Sequence, residues 1–146
     1  MRVYTVKAKI PVSEIRNVID PLDGALWDVT PITFSEVLEL DTACHIDESW
    51  NAVKKKTPQE MDTRDVYRTF HIGRIAYLVN KTQPTCTAEA HLTLLSVMHD
   101  GDIKIIDGNH RIAAAIIRGD THFKLKIITP EPNALPSIFP NIEILD

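Results

Sequence analysis

The stretch IIDGNHRIAAAIIRGD, residues 105–120, decides the fold because it joins a strand to a helix through one sharp corner. Its first residues continue the apolar run IKIID and predict a strand. The part rich in alanine and isoleucine ends at Gly119 and predicts a helix, which Ala113–Ala115 allow to lie close to a sheet. The polar residues Asp107–Arg111 gather between the two elements, where they contribute little to a core.

Strands on both sides of this stretch complete an α+β pattern. Residues Val3–Ile10 alternate between polar and apolar side chains, and so do residues Phe123–Thr129. The runs LTLLSVM, 92–98, and IKIID, 103–107, are joined by an Asp-Gly pair, which predicts a β-hairpin. The chain is therefore predicted to be a single domain, residues 1–146, in which helices pack on a small mixed β-sheet.

Further helices are expected in the first half of the chain. Ser13 is a candidate cap for a short helix that ends at Val18, and the run Ile32–Leu40 fits either a strand or a helix. Thr57–Glu60 has a capping-box pattern, and a second helix start is available at residues 62–63. The apolar stripe that follows predicts the longest helix, with its apolar side packed on the sheet.

Composition limits the classes of function. The 146 residues carry a net charge of -4, and no apolar run is long enough to span a bilayer, so no membrane partner is expected. The N-terminus has no signal-peptide core, and Cys44 and Cys86 form no CxxC, which indicates two thiols in a reducing cytoplasm. The only dense basic run is Lys54–Lys56, so charge does not favour nucleic acid as a partner. The proline-rich segment from about residue 130 is expected to be an extended tail that covers a surface or reaches a partner.

The corner itself predicts an anion site. A helix that begins directly after a strand presents free N–H groups and the positive end of its dipole. Gly108 lets the backbone turn sharply and lets a ligand approach. Arg111 in the first turn can bind two phosphate oxygens, and His110 can donate a hydrogen bond or a proton. Asp107 is a candidate ligand for a metal ion or a hydroxyl group.

A purely structural interpretation of the same residues stays open. Asn109 or Asp107 can simply cap the helix, His110 can belong to the core, and Arg111 can pair with a surface carboxylate. A cap accounts for one polar residue, however, and not for an aspartate, an asparagine, a histidine and an arginine together. The pattern therefore favours a binding site.

The residues of this corner resemble the signature of a known family. DGNHR, residues 107–111, followed by Ile112–Ala115, resembles the DGxHR…A signature of the ParB/sulfiredoxin-like superfamily. KIPVSEI, 9–15, resembles the family's first strand and turn, and HIGRIAYLVN, 71–80, resembles its helix before the hairpin. The resemblance implies that the phosphates of a nucleotide bind at the start of the helix after Gly108. Members variously bind DNA and hydrolyse CTP, repair over-oxidised cysteine with ATP, phosphorylate free serine, or act as nucleases.

The motif discriminates among these branches. Sulfiredoxins have a cysteine directly before the His-Arg pair, where this chain has Asn109. Chromosome-partitioning members continue into DNA-binding helices, whereas the segment after Gly119 is short and rich in proline. The free-serine kinases have DGHHR, which differs from DGNHR at one position. The resemblance therefore implies a nucleotide hydrolase or a phosphotransferase, with Mg²⁺ bound together with ATP, ADP or CTP and a small molecule or a protein as the acceptor.

The resemblance also implies roles for individual residues. Asp107 and His110 are candidate catalytic residues, and Asp107 is the candidate metal ligand. The kinase-like members take a catalytic carboxylate from the segment after the first strand, where Glu14 and Asp20 are both available. Gly108–Arg111 would bind the nucleotide.

Other residues and functions remain open. Arg74, on the long helix, is either a further phosphate ligand or an exposed or paired arginine. Trp27 and Trp50 either stack a base or pack in the core, and the six histidines show no zinc-site spacing. Two other functions are a DNA-binding or nuclease module that uses the same corner, and a regulatory binding protein without chemistry.

Overall fold

A computed structural model describes residues 2–39, 64–81 and 93–145. The chain separates into two compact units, Met1–Asp20 with Gln83–Asp146, and Pro21–Thr82. Each unit is described by itself, and the single domain over 1–146 stays a prediction. In the described residues the α-helices are α1 Val12–Val18, α2 Phe34–Leu38, α3 Arg64–Lys81, α4 Asn109–Arg118 and α5 Leu135–Ile138.

The first unit contains a mixed sheet of five strands, which confirms the predicted α+β class with a small mixed sheet. The antiparallel hairpin predicted from the Asp-Gly pair is present. Its first strand also pairs in parallel with the strand His122–Thr129. The order across the sheet is β3-β2-β4-β1-β5. The strands are β1 Tyr4–Pro11, β2 Thr93–Val97, β3 Ile103–Asp107, β4 His122–Thr129 and β5 Glu143–Ile144.

The core of this unit follows from the sequence periodicities. In β4 every second side chain, from Phe123 to Thr129, is buried, as alternation predicts for a strand with one covered face. In α4 the whole run Ile112–Ile117 is buried. Ala113–Ala115 are fully buried, so small side chains let this helix approach its neighbours closely. The helix contacts both β2 and α1, and this packing holds the strand-to-helix corner in place.

The expectation of an extended C-terminal tail is wrong. After a short 3₁₀ turn at Pro132–Ala134 the chain forms α5 and then returns as β5, which pairs with β1. Leu135 and Phe139 are fully buried, and burial of these apolar groups holds the tail in the structure despite its prolines. The tail is therefore part of the core.

Ser13 does not cap α1, contrary to the sequence prediction. The helix begins at Val12, its N-cap residue is Pro11, and no side chain caps it. The reason is that β1 runs directly into the helix, and the Val12 N–H donates to the carbonyl of Thr121 at 3.0 Å. Ser13 is therefore the second residue of the helix and does not occupy the flanking position from which a side chain caps.

The second unit contains the long helix and the run at 32–40, whose sequence fits either a strand or a helix. Thr33 and Glu36 form a reciprocal capping box, so the run forms helix α2 over Phe34–Leu38. Helix α3 is the longest in the described residues, as predicted, although its expected starts at residues 57–63 lie outside them. That its apolar side packs on the sheet stays a prediction.

Arg68 and His71 of the second unit each have a partner within that unit. Both terminal nitrogens of Arg68 donate to the Glu36 carboxylate at 2.6 Å, and these hydrogen bonds lower the pKa of Glu36 to about 2. The ring of His71 stacks on Trp27 with centroids 4.3 Å apart. Burial lowers the pKa of His71 to about 4, so this histidine is neutral at physiological pH.

None of the helices within residues 2–39, 64–81 and 93–145 is both long enough and apolar enough to cross a membrane.

Burial of the tail in the core predicts that substitutions of its buried residues lower the stability of the protein. Leu135→Ala should lower the free energy of unfolding by about 2–5 kcal/mol, because it leaves a cavity at a fully buried site. Ile144→Ala is the control in the same tail, since Ile144 is 48% exposed and should cost less than about 1 kcal/mol. Urea denaturation followed by circular dichroism measures both. Equal, small losses would show that the tail does not belong to the core.

Candidate functional site

Gly108 makes the corner possible. It is the N-cap residue of α4 with φ 100° and ψ 25°, a left-handed conformation that costs an L side chain free energy. Its carbonyl accepts the first helical hydrogen bond, from the Ile112 N–H at 3.0 Å. Strand β3 therefore ends at Asp107 and the helix begins at Asn109, with one residue between them.

No side chain of the described residues caps this helix. Neither Asn109 nor Asp107 accepts a hydrogen bond from a backbone N–H of the first turn, so the interpretation of either as a simple cap is wrong. The first N–H groups of a helix have no acceptor within the helix itself, and among the described residues no side chain provides one. The helix dipole adds partial positive charge at the same place. The start of α4 is consequently suited to an anion.

A β-bulge sets what lies opposite Gly108. Leu95 pairs with Ile105 but Leu94 pairs with Asp107, so Ile106 is an extra residue in β3. The same register, continued by one residue, brings Thr93 opposite Gly108. A β-carbon at Gly108 would lie 3.0 Å from both Cβ and Cγ2 of Thr93 and closer still to its Oγ1. The absent side chain of Gly108 thus gives Thr93 room to pack against the corner.

Two polar atoms at the corner are buried without a hydrogen-bond partner in the described part of the chain. They are Oγ1 of Thr93 and Oδ1 of Asn109. Thr93 as a whole is only 1% exposed. A buried polar atom without a partner costs about 1–3 kcal/mol, and most such atoms in proteins have a partner. Both residues adjoin Gly108, so the unsatisfied groups gather at the start of α4.

Arg111 lies in the first turn of the helix and pairs with Asp107 at 3.2 Å. The Asp107 side chain is 73% exposed and that of Arg111 is 25% exposed. Such an exposed ion pair contributes at most about 1 kcal/mol, so the guanidinium can turn to a more highly charged anion at little cost. His110 is half-buried in the first turn, between these two residues in sequence.

The remaining predicted site residues have other contacts. The Glu14 carboxylate accepts hydrogen bonds from the backbone N–H and the side-chain amide of Asn141, at 3.0 and 2.7 Å. Asp20 pairs with Arg16 at 3.0 Å. Arg74 belongs to the second unit, where its guanidinium lies 5.3 Å from the ring centre of Tyr77. The catalytic role of Glu14 or Asp20 and the nucleotide contact of Arg74 stay predictions.

Metal-ligating side chains do not cluster in the ranges that the structure covers. No group of three or more histidine, cysteine, aspartate or glutamate side chains there could hold a metal ion. His99 pairs with Glu131 at 2.9 Å, and Asp102 belongs to the hairpin turn, where its N–H donates to Asp100. Several residues considered above lie outside the described ranges: Cys44, Cys86, Trp50 and Lys54–Lys56.

Sequence reasoning missed Thr93. One signal was available, because Thr93 occupies an inward position of an alternating strand together with Leu95 and Val97, and all three are buried. A threonine at such a position carries a hydroxyl into the core. Its relation to Gly108 depends on the bulge, which the alternation of the two strands does not show.

Comparisons of the chain with protein-family models, with curated proteins and with solved structures find no match. The likeness to the ParB/sulfiredoxin-like superfamily therefore rests on the motif residues themselves.

Contact between Gly108 and Thr93 predicts unequal effects of two alanine substitutions. Gly108 and Gly119 are the residues at the two ends of α4, and both have positive φ, 100° and 78°. Alanine in that conformation costs about 1–2 kcal/mol at either place. Only Gly108→Ala also collides with Thr93, because a β-carbon at Gly119 meets nothing within 4 Å.

Gly108→Ala should therefore lower the free energy of unfolding by about 1–3 kcal/mol more than Gly119→Ala does. Chemical denaturation of the two variants measures the difference. Equal losses would mean that Gly108 serves the turn alone and that Thr93 does not press on it.

Proposed function

We propose that this chain binds a nucleotide through its phosphates at Gly108–Arg111, as a ParB/sulfiredoxin-like protein, and acts as a nucleotide hydrolase or a phosphotransferase. The observation that carries the proposal is the start of α4 at a left-handed glycine with no side-chain cap among the described residues, beside the buried Thr93 hydroxyl, which has no hydrogen-bond partner there. A phosphate group supplies acceptors for the free N–H groups and negative charge for the dipole.

Arg111 adds charge to this arrangement. A helix start alone binds anions weakly, whereas a guanidinium can bind two phosphate oxygens at once with charge-assisted hydrogen bonds. Arg111 is in the first turn, and its partner among the described residues is the exposed Asp107. When a phosphate replaces Asp107 as its partner, the Asp107 carboxylate is released on the solvent side of the corner.

The residues at the corner fit a nucleotide-bound Mg²⁺. Mg²⁺ keeps several waters and needs only one or two carboxylates in addition to phosphate oxygens. Asp107, at the end of β3 and largely exposed, would be that carboxylate. When bound, the ion would neutralise charge that develops on the transferred phosphoryl group. His110, the residue directly before Arg111, would donate a hydrogen bond or a proton to the same phosphoryl group.

The proposed chemistry moves the terminal phosphoryl group to a hydroxyl group of water, of a small molecule or of a protein. The bond to the leaving phosphate oxygen breaks as the new oxygen–phosphorus bond forms, and a carboxylate accepts the hydroxyl proton. Glu14 and Asp20 are the candidates, and each would have to give up its present partner, Asn141 or Arg16. The likeness of DGNHR to the DGHHR of free-serine kinases supports transfer to a small alcohol.

Arg111→Ala tests the proposal. The variant should bind Mg²⁺–ATP, Mg²⁺–ADP or Mg²⁺–CTP more weakly than the wild type by about 1.5–3 kcal/mol, since it removes a charged donor to phosphate. Its melting temperature without ligand should change little, because the lost ion pair is exposed. Isothermal titration calorimetry and a thermal-shift assay measure the two effects.

Arg16→Ala is the matched control. It also breaks an exposed Arg–Asp pair with i,i+4 spacing, at 3.0 Å, but within α1 and the residues just after it. Its nucleotide affinity should equal that of the wild type. Single- and double-stranded DNA form a parallel arm: if the wild type binds DNA with steep salt dependence and binds no nucleotide, the corner holds a backbone phosphate and the nuclease or DNA-binding alternative replaces the proposal.

A further inference from the structure

Thr93 carries a hydroxyl group into a place where the fold does not use it. Its neighbours on the inward face of β2 are Leu95 and Val97, and a valine at 93 would fill almost the same volume without a polar atom. The Oγ1 atom is buried and has no hydrogen-bond partner in the described residues. For folding alone, this hydroxyl is a cost.

The position of the hydroxyl is specific. The bulge at Ile106 brings Thr93 opposite Gly108, and Oγ1 is the atom closest to where a Gly108 side chain would begin. Gly108 is the N-cap residue of α4, a helix of 10 residues. The unsatisfied hydroxyl therefore lies against the backbone at which the free N–H groups of the helix start.

We infer that the Thr93 hydroxyl is part of the binding site and donates a hydrogen bond to a phosphate oxygen of the bound nucleotide. This inference rests on the proposed function and adds β2 to a site so far composed of β3 and α4. A hydroxyl group is both donor and acceptor, so it can donate to an anion and needs no change in protonation.

Reaching the ligand requires a small movement. Oγ1 is buried against Gly108, so rotation of Thr93 about χ1, or a shift of the corner, has to expose it when phosphate binds. Threonine has three staggered χ1 positions, so rotation about χ1 can redirect the oxygen without a change in the backbone. The hydrogen bond gained in the complex compensates for the one that is missing in the free protein.

The inference predicts opposite effects of one substitution on stability and on binding. Thr93→Val keeps the shape and removes the hydroxyl. The melting temperature of the full chain without ligand should rise or stay equal, because an unsatisfied polar group is lost. The affinity for Mg²⁺–ADP should fall about 10- to 100-fold, the range expected for a hydrogen bond to a charged group. A purely structural hydroxyl predicts a lower melting temperature and unchanged affinity.

Thr93→Ser is the rescue variant. It keeps the hydroxyl and loses a buried methyl group, so its melting temperature should fall while its affinity stays within about threefold of the wild type. Calorimetric titration with Mg²⁺–ADP and thermal unfolding are measured on all variants at one ionic strength.

The outcomes separate the two proposals. If the wild type binds nucleotide, Arg111→Ala weakens binding and Thr93→Val does not, the role of Thr93 is refuted and the proposed function stands. Equal loss of affinity in Thr93→Val and Thr93→Ser also refutes it, because the serine retains the hydroxyl. If the wild type binds no nucleotide, both proposals fall.

Discussion

The left-handed turn at Gly108 is the constraint on which the corner depends. The chain has to leave β3 and start α4 within one residue while the Thr93 side chain occupies the space beside that residue. Only glycine meets both conditions, the positive φ and the missing β-carbon. The bulge at Ile106 sets the register that brings these two residues together, and the buried alanines of α4 hold the helix close enough to keep them there.

Among helices α1, α2, α4 and α5, only α2 has a side-chain cap. Helix α2 has only 5 residues, yet Thr33 and Glu36 satisfy its first N–H groups reciprocally. Helix α4 is twice as long and has no side-chain cap. Natural proteins leave such local rules unmet mainly at functional sites. At α1 the carbonyl of Thr121 accepts the Val12 N–H instead. The corner at α4 combines the missing cap with Arg111 and the unsatisfied Thr93 hydroxyl, and this combination supports a ligand there.

Much of this arrangement could be predicted from the sequence, and the exceptions have physical causes. The Asp-Gly pair between two apolar runs predicted the hairpin, and alternation predicted β4. The Asp-Gly-Asn sequence predicted a glycine-dependent corner at Gly108. Ser13 failed as a cap because the helix begins one residue before it, at Val12, whose N–H donates to the carbonyl of Thr121, a residue distant in sequence. The tail was misjudged because its prolines outweighed two buried apolar residues, Leu135 and Phe139. Thr93 was missed because its neighbour depends on a bulge between strands, which is a tertiary property.

The account is tested most directly by titrating Mg²⁺–ADP into ¹⁵N-labelled protein and following the backbone amide resonances. Hydrogen bonding of phosphate to the start of α4 should shift the amides of residues 108–111 downfield first and most, with Thr93 among the next to respond. Arg111→Ala should remove these shifts at the same nucleotide concentration. Shifts confined to other parts of the chain, or no shifts at saturating nucleotide, would contradict the assignment of the corner as a phosphate site.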